Sequence, residues 1–291
     1  MVTANEALRK YTSILIQYGL DEAADEAKVL LCYVLGLSTA QLFAQPDREL
    51  SDEEADRLNG LIEKRVSGVP VSYLINYREF YGIGLYIDSR VLIPRPETEV
   101  LVEEAIKFGK EWRKNKQGVM KIADVGTGSG AIALALASNI PDSLVYAIDI
   151  SGDALKVAGT NIKEHKFEKK IELVHGNLLQ KISGKVDMIV ANLPYIKEAE
   201  VPLLPVEISK HEPRKALDGG AAGTEIISEL IRQSAGRVNE GGTILIEIGM
   251  GQEEEIGKII AGALPGAQIK LVKDLAGITR VMKIEISSFD I

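Results

Sequence analysis

The residues with the clearest chemical meaning are four in a row, Asn192-Leu193-Pro194-Tyr195, which follow an apolar run at 186–191 that predicts a buried strand. The side-chain oxygen of Asn192 and the main-chain oxygen of Leu193 can each accept one N–H of a planar NH2 group. Pro194 favours an extended Leu193, which fixes the direction of that carbonyl, and Tyr195 offers a flat face. We therefore predict that these four residues bind the substrate and are catalytic.

Two acceptors on one NH2 group suit methyl transfer to an amide or aromatic amine nitrogen. The lone pair of such a nitrogen is delocalised, so the enzyme must hold the nitrogen in line with a methyl donor and favour localisation of the lone pair. A strong base is unnecessary because the proton can leave to water afterwards. The alternative interpretation of the four residues is an ordinary turn with a buried tyrosine.

A glycine-rich turn upstream predicts a cofactor site. It joins a predicted strand, 120–125, to a predicted helix, 130–139, and consists of Gly126, Thr127, Gly128, Ser129 and Gly130. Glycines allow the backbone to approach a ligand closely and to adopt positive φ. The next predicted strand, 144–149, ends in Asp149, whose carboxylate can accept hydrogen bonds from both hydroxyls of a ribose. We predict that the turn and Asp149 bind a nucleotide-like cofactor.

The glycine spacing leaves two cofactors open. With Ala131 it satisfies the G-x-G-x-x-A form of dinucleotide sites, so a nicotinamide-dependent oxidoreductase is one alternative. It also fits the G-x-G-x-G turn of methyltransferases that use S-adenosylmethionine and release S-adenosylhomocysteine. We favour S-adenosylmethionine because the motif follows a whole helical segment, whereas many dinucleotide-binding folds begin with it. Asn177 and Leu178, after a strand at 171–175, are expected to contact the adenine, although an ordinary turn explains Asn177 equally well. A turn without any ligand is the remaining interpretation.

From residue 96 onward strands and helices alternate, which predicts an α/β fold with a mostly parallel sheet covered on both faces. The predicted strands are 120–125, 144–149, 171–175, 186–191, 242–248, 268–273 and 279–286. The predicted helices are 97–110, 130–139, 152–164, 223–239 and 252–263. The proline-containing segment 192–222 is predicted as a long functional connection.

Three domains are predicted along the chain. Residues 1–70 show apolar positions at helical spacing and predict a helical bundle, with a capping box at Ser51. Aromatic and β-branched residues flank glycines at 71–95, which predicts a β-hairpin linker. Residues 96–291 form the predicted α/β domain.

Composition and charge exclude several classes of protein. The 291 residues carry 34 Lys and Arg against 42 Asp and Glu, a net charge of −8, which argues against a nucleic-acid partner. Cys32 is the only cysteine, so neither an intramolecular disulfide nor a multi-cysteine metal site can form. The histidines lack metal-ligand spacing, and no metal site is predicted. With no signal peptide and no apolar run of membrane-spanning length, we expect a cytoplasmic protein that has no membrane partner and is a monomer.

Four further polar residues have two interpretations each. Arg95, Glu97 and Thr98 either line the cofactor pocket or belong to the start of a helix. Glu247 lies at the end of the predicted strand 242–248 and either orients a loop or is structural, and the structural role is favoured.

Together these motifs resemble the release-factor glutamine N5-methyltransferases, a bacterial and organellar family that uses S-adenosylmethionine. The similarity covers nearly the whole chain and includes, besides the runs described above, Ile93-Pro94-Arg95-Pro96-Glu97-Thr98-Glu99, Glu212-Pro213-Arg214-Lys215-Ala216-Leu217 and Glu247-Ile248-Gly249. The resemblance implies a Rossmann-like class I methyltransferase domain with a seven-stranded sheet. It also implies methylation of the glutamine in the Gly-Gly-Gln motif of peptide chain release factors, with Asn192 contacting both cofactor and glutamine. We expect the helical domain to recognise the protein substrate.

Two positions depart from the family pattern. The family usually has Asn-Pro-Pro-Tyr, and Leu193 takes the second position; a main-chain contact tolerates leucine, with less rigidity because no proline ring fixes φ. Leu178 stands where relatives often carry an aromatic residue. Asn-Leu-Pro-Tyr also occurs in ribosomal RNA adenine dimethyltransferases, so adenine in nucleic acid stays an alternative substrate, as does a glutamine of a ribosomal protein. A non-catalytic adaptor that binds through its helical domain is the last alternative.

Overall fold

The computed structural model describes residues 2–286, which contain eleven α-helices and nine strands. The helices are α1 (Ala4–Gln17), α2 (Ala23–Leu35), α3 (Thr39–Ala44), α4 (Asp52–Val66), α5 (Val71–Leu74), α6 (Glu99–Asn115), α7 (Ala131–Asn139), α8 (Gly152–Glu164), α9 (Val206–His211), α10 (Glu225–Ser234) and α11 (Glu253–Ala263). The strands are β1 (Arg78–Phe80), β2 (Ile83–Leu85), β3 (Met120–Val125), β4 (Ser143–Asp149), β5 (Ile171–His175), β6 (Val186–Ala191), β7 (Val238–Glu247), β8 (Gln268–Lys273) and β9 (Thr279–Glu285). Short 3-10 turns lie at Pro96–Thr98, Val201–Leu203 and Arg214–Ala216.

One compact unit is helical and contains the chain up to Tyr77 together with Pro205–His211. Each of α1, α2 and α4 buries one apolar face in its core, where leucines such as Leu30 are fully buried. The predicted capping box is confirmed: the Glu54 main-chain N–H donates to the Ser51 hydroxyl, and the Ser51 main-chain N–H donates to the Glu54 carboxylate. Amphipathic helices with local caps therefore account for this bundle.

The short helix α9 belongs to this helical unit, although it lies within the long segment 192–222 of the sequence. Arg65 of α4 is 2% exposed and donates hydrogen bonds to both carboxylate oxygens of Glu26, at 2.8 and 2.9 Å. A further bond from Arg65 reaches Glu207 of α9. Because a buried guanidinium requires carboxylate partners, this ion-pair group holds α9 on the bundle. The long connection predicted over 192–222 therefore contains a short helix, which the sequence pattern did not predict.

The second compact unit, Arg78–Leu204 with the chain from Glu212 onward, contains a seven-stranded sheet. Its strand order is β5-β4-β3-β6-β7-β9-β8, and every pairing is parallel except those that β9 makes with β7 and β8. The predicted mostly parallel, seven-stranded sheet is confirmed. Because parallel strands end at the same edge, the carboxyl ends of β3, β4, β6 and β7 lie side by side.

The hairpin formed by β1 and β2 lies within 71–95, the segment predicted as a β-hairpin linker. By its contacts the hairpin belongs to the second unit, which begins at Arg78. The division of the chain into 1–70, 71–95 and 96–291 stays a prediction.

The boundary between α10 and β7 differs from the predicted one. Helical spacing predicts a helix over 223–239, but α10 ends at Ser234 and β7 begins at Val238. Val238 is buried and pairs with Val186 of β6. The helix prediction was wrong at its end because burial in the sheet outweighs the local spacing of apolar residues.

We expect Gly242→Ala to destabilise the protein by about 1–3 kcal/mol. A Cβ at Gly242 would lie 2.7 Å from the main-chain oxygen of Asp187 and 2.8 Å from that of Asn239, so the backbone of β7 must shift. Urea unfolding followed by circular dichroism measures the loss. Gly257→Ala in α11 is the control, because open space surrounds Gly257 and alanine favours a helix by about 0.5–1 kcal/mol. Equal effects of the two substitutions would contradict this account of β7.

Candidate active site

The glycine turn at 126–130 connects β3 to α7. Gly126, Gly128 and Gly130 have φ of 78°, 54° and 82°, which is the left-handed region that favours glycine. A Cβ on Gly126 would lie 2.9 Å from Leu193 Cδ2. The predicted cofactor turn therefore touches the predicted catalytic residues directly.

A fully buried carboxyl, Asp124 of β3, orders the glycine turn. Its Oδ2 accepts a hydrogen bond from the Thr127 hydroxyl at 2.6 Å and another from the Ala133 main-chain N–H at 3.1 Å. Burial raises the pKa of Asp124 to about 7, although these two hydrogen bonds oppose the shift. Asp124 thus joins the turn to the first residues of α7.

Asp149, which is predicted to bind a ribose, ends β4. Its Oδ2 accepts a hydrogen bond from the Gly128 main-chain N–H at 2.9 Å, and its Oδ1 accepts one from the Ser151 main-chain N–H at 2.8 Å. Burial raises the pKa of Asp149, and these main-chain bonds oppose that shift. Each carboxylate oxygen has a second lone pair with which to accept a ligand hydroxyl.

A cavity of about 460 Å³ lies at this edge of the sheet and is lined by both predicted motifs. The predicted residues in its lining are Gly126, Gly128, Asp149, Asn177, Leu178, Asn192, Leu193 and Pro194. The predicted residues outside its lining are Thr127, Ser129, Gly130 and Tyr195. Small-molecule sites have volumes of about 300–1,000 Å³, so the cavity has the size of a ligand site. The roles predicted for the individual residues stay predictions.

Hydrogen bonds hold both ends of the corner formed by residues 192–195. Asn192 Nδ2 donates to the Thr98 hydroxyl oxygen at 3.0 Å. The Tyr195 hydroxyl donates to Glu247 Oε1 at 3.4 Å. Burial raises the pKa of Tyr195 to about 12, so its hydroxyl keeps its proton and remains a donor. The corner is therefore anchored on side chains from distant parts of the chain.

Three glycines leave room for Tyr195 beside the sheet. A Cβ would lie 2.8 Å from Tyr195 Cα at Gly219, 2.5 Å from the Tyr195 carbonyl oxygen at Gly223 and 3.1 Å from Tyr195 Cδ2 at Gly249. The same carbonyl oxygen accepts a hydrogen bond from Gln252 Nε2 at 3.0 Å. Tyr195 is therefore packed on Gly249 and lies outside the cavity lining.

Glu247 is one of the residues that hold the corner at 192–195, although the sequence favours a purely structural role for it. Glu247 is 2% exposed, and the Tyr195 hydroxyl donates to its Oε1, while its Oε2 is buried without a hydrogen-bond partner in the described residues. Burial raises the pKa of Glu247 to about 7, and the nearby hydroxyls of Thr98 and Tyr195 and the charge of Arg280 oppose this shift. No sequence pattern connects these residues, because they lie in separate segments that only folding brings together.

Two segments, 90–92 and 213–216, line the cavity without having been predicted to do so. An ion pair between Arg95 and the buried Glu212 lies next to both. The Ile93 main-chain N–H also donates to Glu212, at 3.4 Å. Residues 213–216 lie in the run 212–217 that carries the family resemblance, so the sequence could have indicated them. Residues 90–92 lie outside every run that carries the resemblance, and no sequence pattern indicates them.

Two kinds of feature are absent from residues 2–286. No group of three or more His, Cys, Asp or Glu side chains in this range can hold a metal ion. No helix in the same range is both long and apolar enough to cross a membrane.

The fold and the cavity define an enzyme of the methyltransferase class. The family model described as the methyltransferase small domain matches residues 110–207, and that of the PrmC N-terminal domain matches residues 6–75. A solved methyltransferase from Pyrococcus furiosus shares the fold, with 15% identity and a TM-score of 0.50 over 81% of this chain and 100% of that one.

Relatives of known name narrow this class to one family. A release factor glutamine methyltransferase from Bradyrhizobium diazoefficiens is 38% identical over 263 residues, 90% of this chain and 88% of the relative. A protein of the same name from Rhodopirellula baltica is 36% identical over 286 residues, 97% of this chain and 96% of the relative. The chain belongs to the release factor glutamine methyltransferase family, and the resemblance inferred from its motifs is confirmed.

We expect Asp124→Asn to flatten the pH dependence of stability. The pKa of Asp124 in the folded protein, about 7, lies above its ordinary value of 3.8, so the folded state binds the proton more tightly than the unfolded state. The contribution of this group to the free energy of unfolding is therefore largest below about pH 4 and falls as the pH rises to about 7.

Urea unfolding at a series of pH values measures this slope, part of which the variant loses. Asp56→Asn is the control, because Asp56 is exposed on α4 and its replacement changes the charge by the same amount. The same slope in Asp124→Asn as in the wild type would contradict the raised pKa.

Proposed function

We propose that this enzyme transfers a methyl group from S-adenosylmethionine to the side-chain amide nitrogen (N5) of the glutamine in the Gly-Gly-Gln motif of peptide chain release factors. One observation carries the proposal: a glycine turn suited to the cofactor and two carbonyl groups suited to a carboxamide adjoin the same cavity. Relatives with 38% and 36% identity bear the name of this activity. We also propose that the helical unit helps to recognise the release factor.

The residues around the cavity fit S-adenosylmethionine. Gly126 and Gly128 have no side chains and allow the ligand to approach the main chain closely. Asp149 has lone pairs with which to accept the ribose hydroxyls, and Asn177 and Leu178 would hold the adenine, Leu178 through apolar packing. When bound, this cofactor supplies a methyl group on a positively charged sulfur.

Asn192 and Leu193 would hold the glutamine amide. In the part of the chain that the structure describes, no protein donor is bonded to the side-chain oxygen of Asn192 or to the main-chain oxygen of Leu193. Both oxygens can therefore accept the N–H groups of a substrate amide, which orients the nitrogen and favours localisation of its lone pair. Leucine at position 193 preserves this acceptor because the contact uses the main chain.

Methylation of purified release factors in the presence of S-adenosylmethionine tests the proposal, with mass spectrometry of the Gly-Gly-Gln peptide as the measurement. We expect the wild-type protein to add one methyl group to the glutamine. We expect Asn192→Ala to lower kcat at least about 100-fold, the scale of losing one oriented polar group at a reacting centre. Asn115→Ala, which removes an exposed amide at the end of α6, is the control and keeps wild-type activity.

Three results would overturn the proposal in different ways. Calorimetric binding of S-adenosylmethionine without methylation of any release factor would exclude release factors as the substrate. Binding of NAD in place of S-adenosylmethionine would exclude methyl transfer as the reaction. Methylation of adenine in RNA, with binding that weakens steeply as salt is added, would identify a nucleic-acid enzyme.

A further inference from the structure

We infer that Gln252 is a positioning residue, whose side-chain amide fixes the main chain of the corner at 192–195. The inference rests on the proposed function, in which the Asn192 side-chain oxygen and the Leu193 main-chain oxygen accept the N–H groups of the glutamine. Gln252 directly precedes α11 and is not among the residues that line the cavity. Its part in the reaction is therefore exerted through the corner.

The Gln252 amide joins three segments of the second unit. Its Nε2 donates to the main-chain oxygen of Tyr195 at 3.0 Å and to that of Gly223 at 3.2 Å. Its Oε1 accepts a hydrogen bond from the Gly249 main-chain N–H at 2.8 Å. Tyr195 ends the corner, Gly223 lies in the loop 218–224 before α10, and Gly249 follows β7. One side chain thus connects the corner, this loop and the end of a central strand.

The partners of Gln252 allow its amide only one orientation. Carbonyl oxygens can only accept and a main-chain N–H can only donate, whereas an amide has two N–H donors at one end and an acceptor at the other. A rotated amide would place its oxygen against two carbonyl oxygens and its NH2 group against an N–H. All three hydrogen bonds would then be lost together, so a side chain of different chemistry cannot replace this amide.

The loop 218–224 packs directly on the main chain of the corner. A Cβ on Gly219 would lie 2.6 Å from the Pro194 carbonyl oxygen and 2.8 Å from Tyr195 Cα, and a Cβ on Gly223 would lie 2.5 Å from the Tyr195 carbonyl oxygen. The Gly219 main-chain N–H also donates to the Ile196 carbonyl oxygen at 2.8 Å. Because Gln252 bonds to both sides of this contact, its amide holds the loop and the corner together.

A fixed Tyr195 carbonyl restricts the substrate-binding carbonyl of Leu193. The Leu193 carbonyl belongs to the peptide group that contains the nitrogen of Pro194, and the proline ring fixes φ at that position. Few free torsions therefore separate the carbonyl that Gln252 holds from the carbonyl proposed to accept the glutamine N–H. Since a misplacement of about 1 Å at a reacting centre can cost about 100-fold in rate, the Gln252 amide is expected to affect turnover.

Gln252→Leu removes the three hydrogen bonds while keeping a side chain of similar size, and we expect it to lower kcat about 10- to 100-fold. Affinity for S-adenosylmethionine, measured by calorimetry, should stay unchanged, because the glycine turn and Asp149 make no hydrogen bond to Gln252. Gln117→Leu is the control and keeps the wild-type kcat, since Gln117 is exposed in the chain between α6 and β3.

Gln252→Glu keeps the shape of the side chain and separates a hydrogen-bonding role from simple packing. As a carboxylate it accepts from the Gly249 N–H but repels the two carbonyl oxygens, whereas in its protonated form it can donate to one of them. We therefore expect its kcat, as a fraction of the wild-type kcat at the same pH, to rise as the pH falls from about 8 to about 6, because the carbonyls favour the protonated form.

The matched variants keep this pH response specific. The fraction should stay flat in Gln252→Leu, which cannot titrate, and in Gln117→Glu, which adds the same charge at an exposed position. The charged residues of the three joined segments, 195–198, 218–225 and 247–253, are Lys197, Glu198, Asp218, Glu225, Glu247 and Glu253. This excess of acids adds to the repulsion of a carboxylate at position 252. Circular dichroism checks that each variant stays folded at every pH used.

Nuclear magnetic resonance tests the three bonds without turnover. The side-chain NH2 signals of Gln252 can be assigned by their loss in Gln252→Leu. We expect their exchange with water to be slow, with and without S-adenosylmethionine, because both protons are hydrogen-bonded. The NH2 signals of the exposed Gln117 serve as the fast-exchanging reference in the same spectrum.

Fast exchange of the Gln252 signals, a wild-type kcat in Gln252→Leu, or a flat pH response of Gln252→Glu would each overturn the inference. Loss of S-adenosylmethionine binding together with kcat in Gln252→Leu would also overturn it, because the effect would then be a general structural one. If Gln252→Leu does not fold, Gln252→Glu and the exchange rates of the wild type decide the question. A wild-type protein that methylates no release factor would overturn the proposed function instead, while the exchange rates still report the three bonds.

Discussion

The candidate site exists because β3, β4, β6 and β7 run parallel and in register. Val125 pairs with Ile148 on one side and with Ala191 on the other, and Ala191 pairs in turn with Ile246. The four strands therefore end level, and the chain that leaves each of them enters the same space. A slip of one residue would turn the following side chains to the opposite face of the sheet. The glycine turn and the corner after β6 would then no longer share a cavity.

Three carboxyl side chains, those of Asp124, Asp149 and Glu247, also lie at this edge of the sheet. Burial raises the pKa of each of them. Burial of a carboxylate opposes folding unless hydrogen bonds compensate for lost water. Here the donors are the Thr127 hydroxyl and the Gly128 main-chain N–H of the glycine turn and the Tyr195 hydroxyl of the corner, while Asp124 Oδ1 and Glu247 Oε2 are buried without a hydrogen-bond partner in the described residues. These donors belong to the segments that must be immobile for a ligand to be oriented, and shifted pKa values commonly occur at such sites.

The path of the chain connects the helical unit to the site. Between the corner at 192–195 and the cavity-lining turn at Arg214–Ala216, the chain passes through the helical unit as α9. Arg65 holds α9 in that unit, and Glu212, just after α9, pairs with Arg95 of the second unit. The segment between the corner and this turn is therefore divided along the chain between the two units.

The succession of residue types along the chain is enough to predict the alternating strands and helices, the glycine turn before α7 and the polar corner after β6. These features depend on periodicity, on the conformations that glycine allows and on immediate chain neighbours, all of which a sequence contains. Three other features emerge from the folded protein alone: Asn192 bonds to Thr98 and Tyr195 to Glu247, α9 joins the helical bundle, and β7 begins at Val238. Each depends on which distant side chains share a buried space, because hydrogen bonds and ion pairs become strong and directional only where folding has excluded water around both partners.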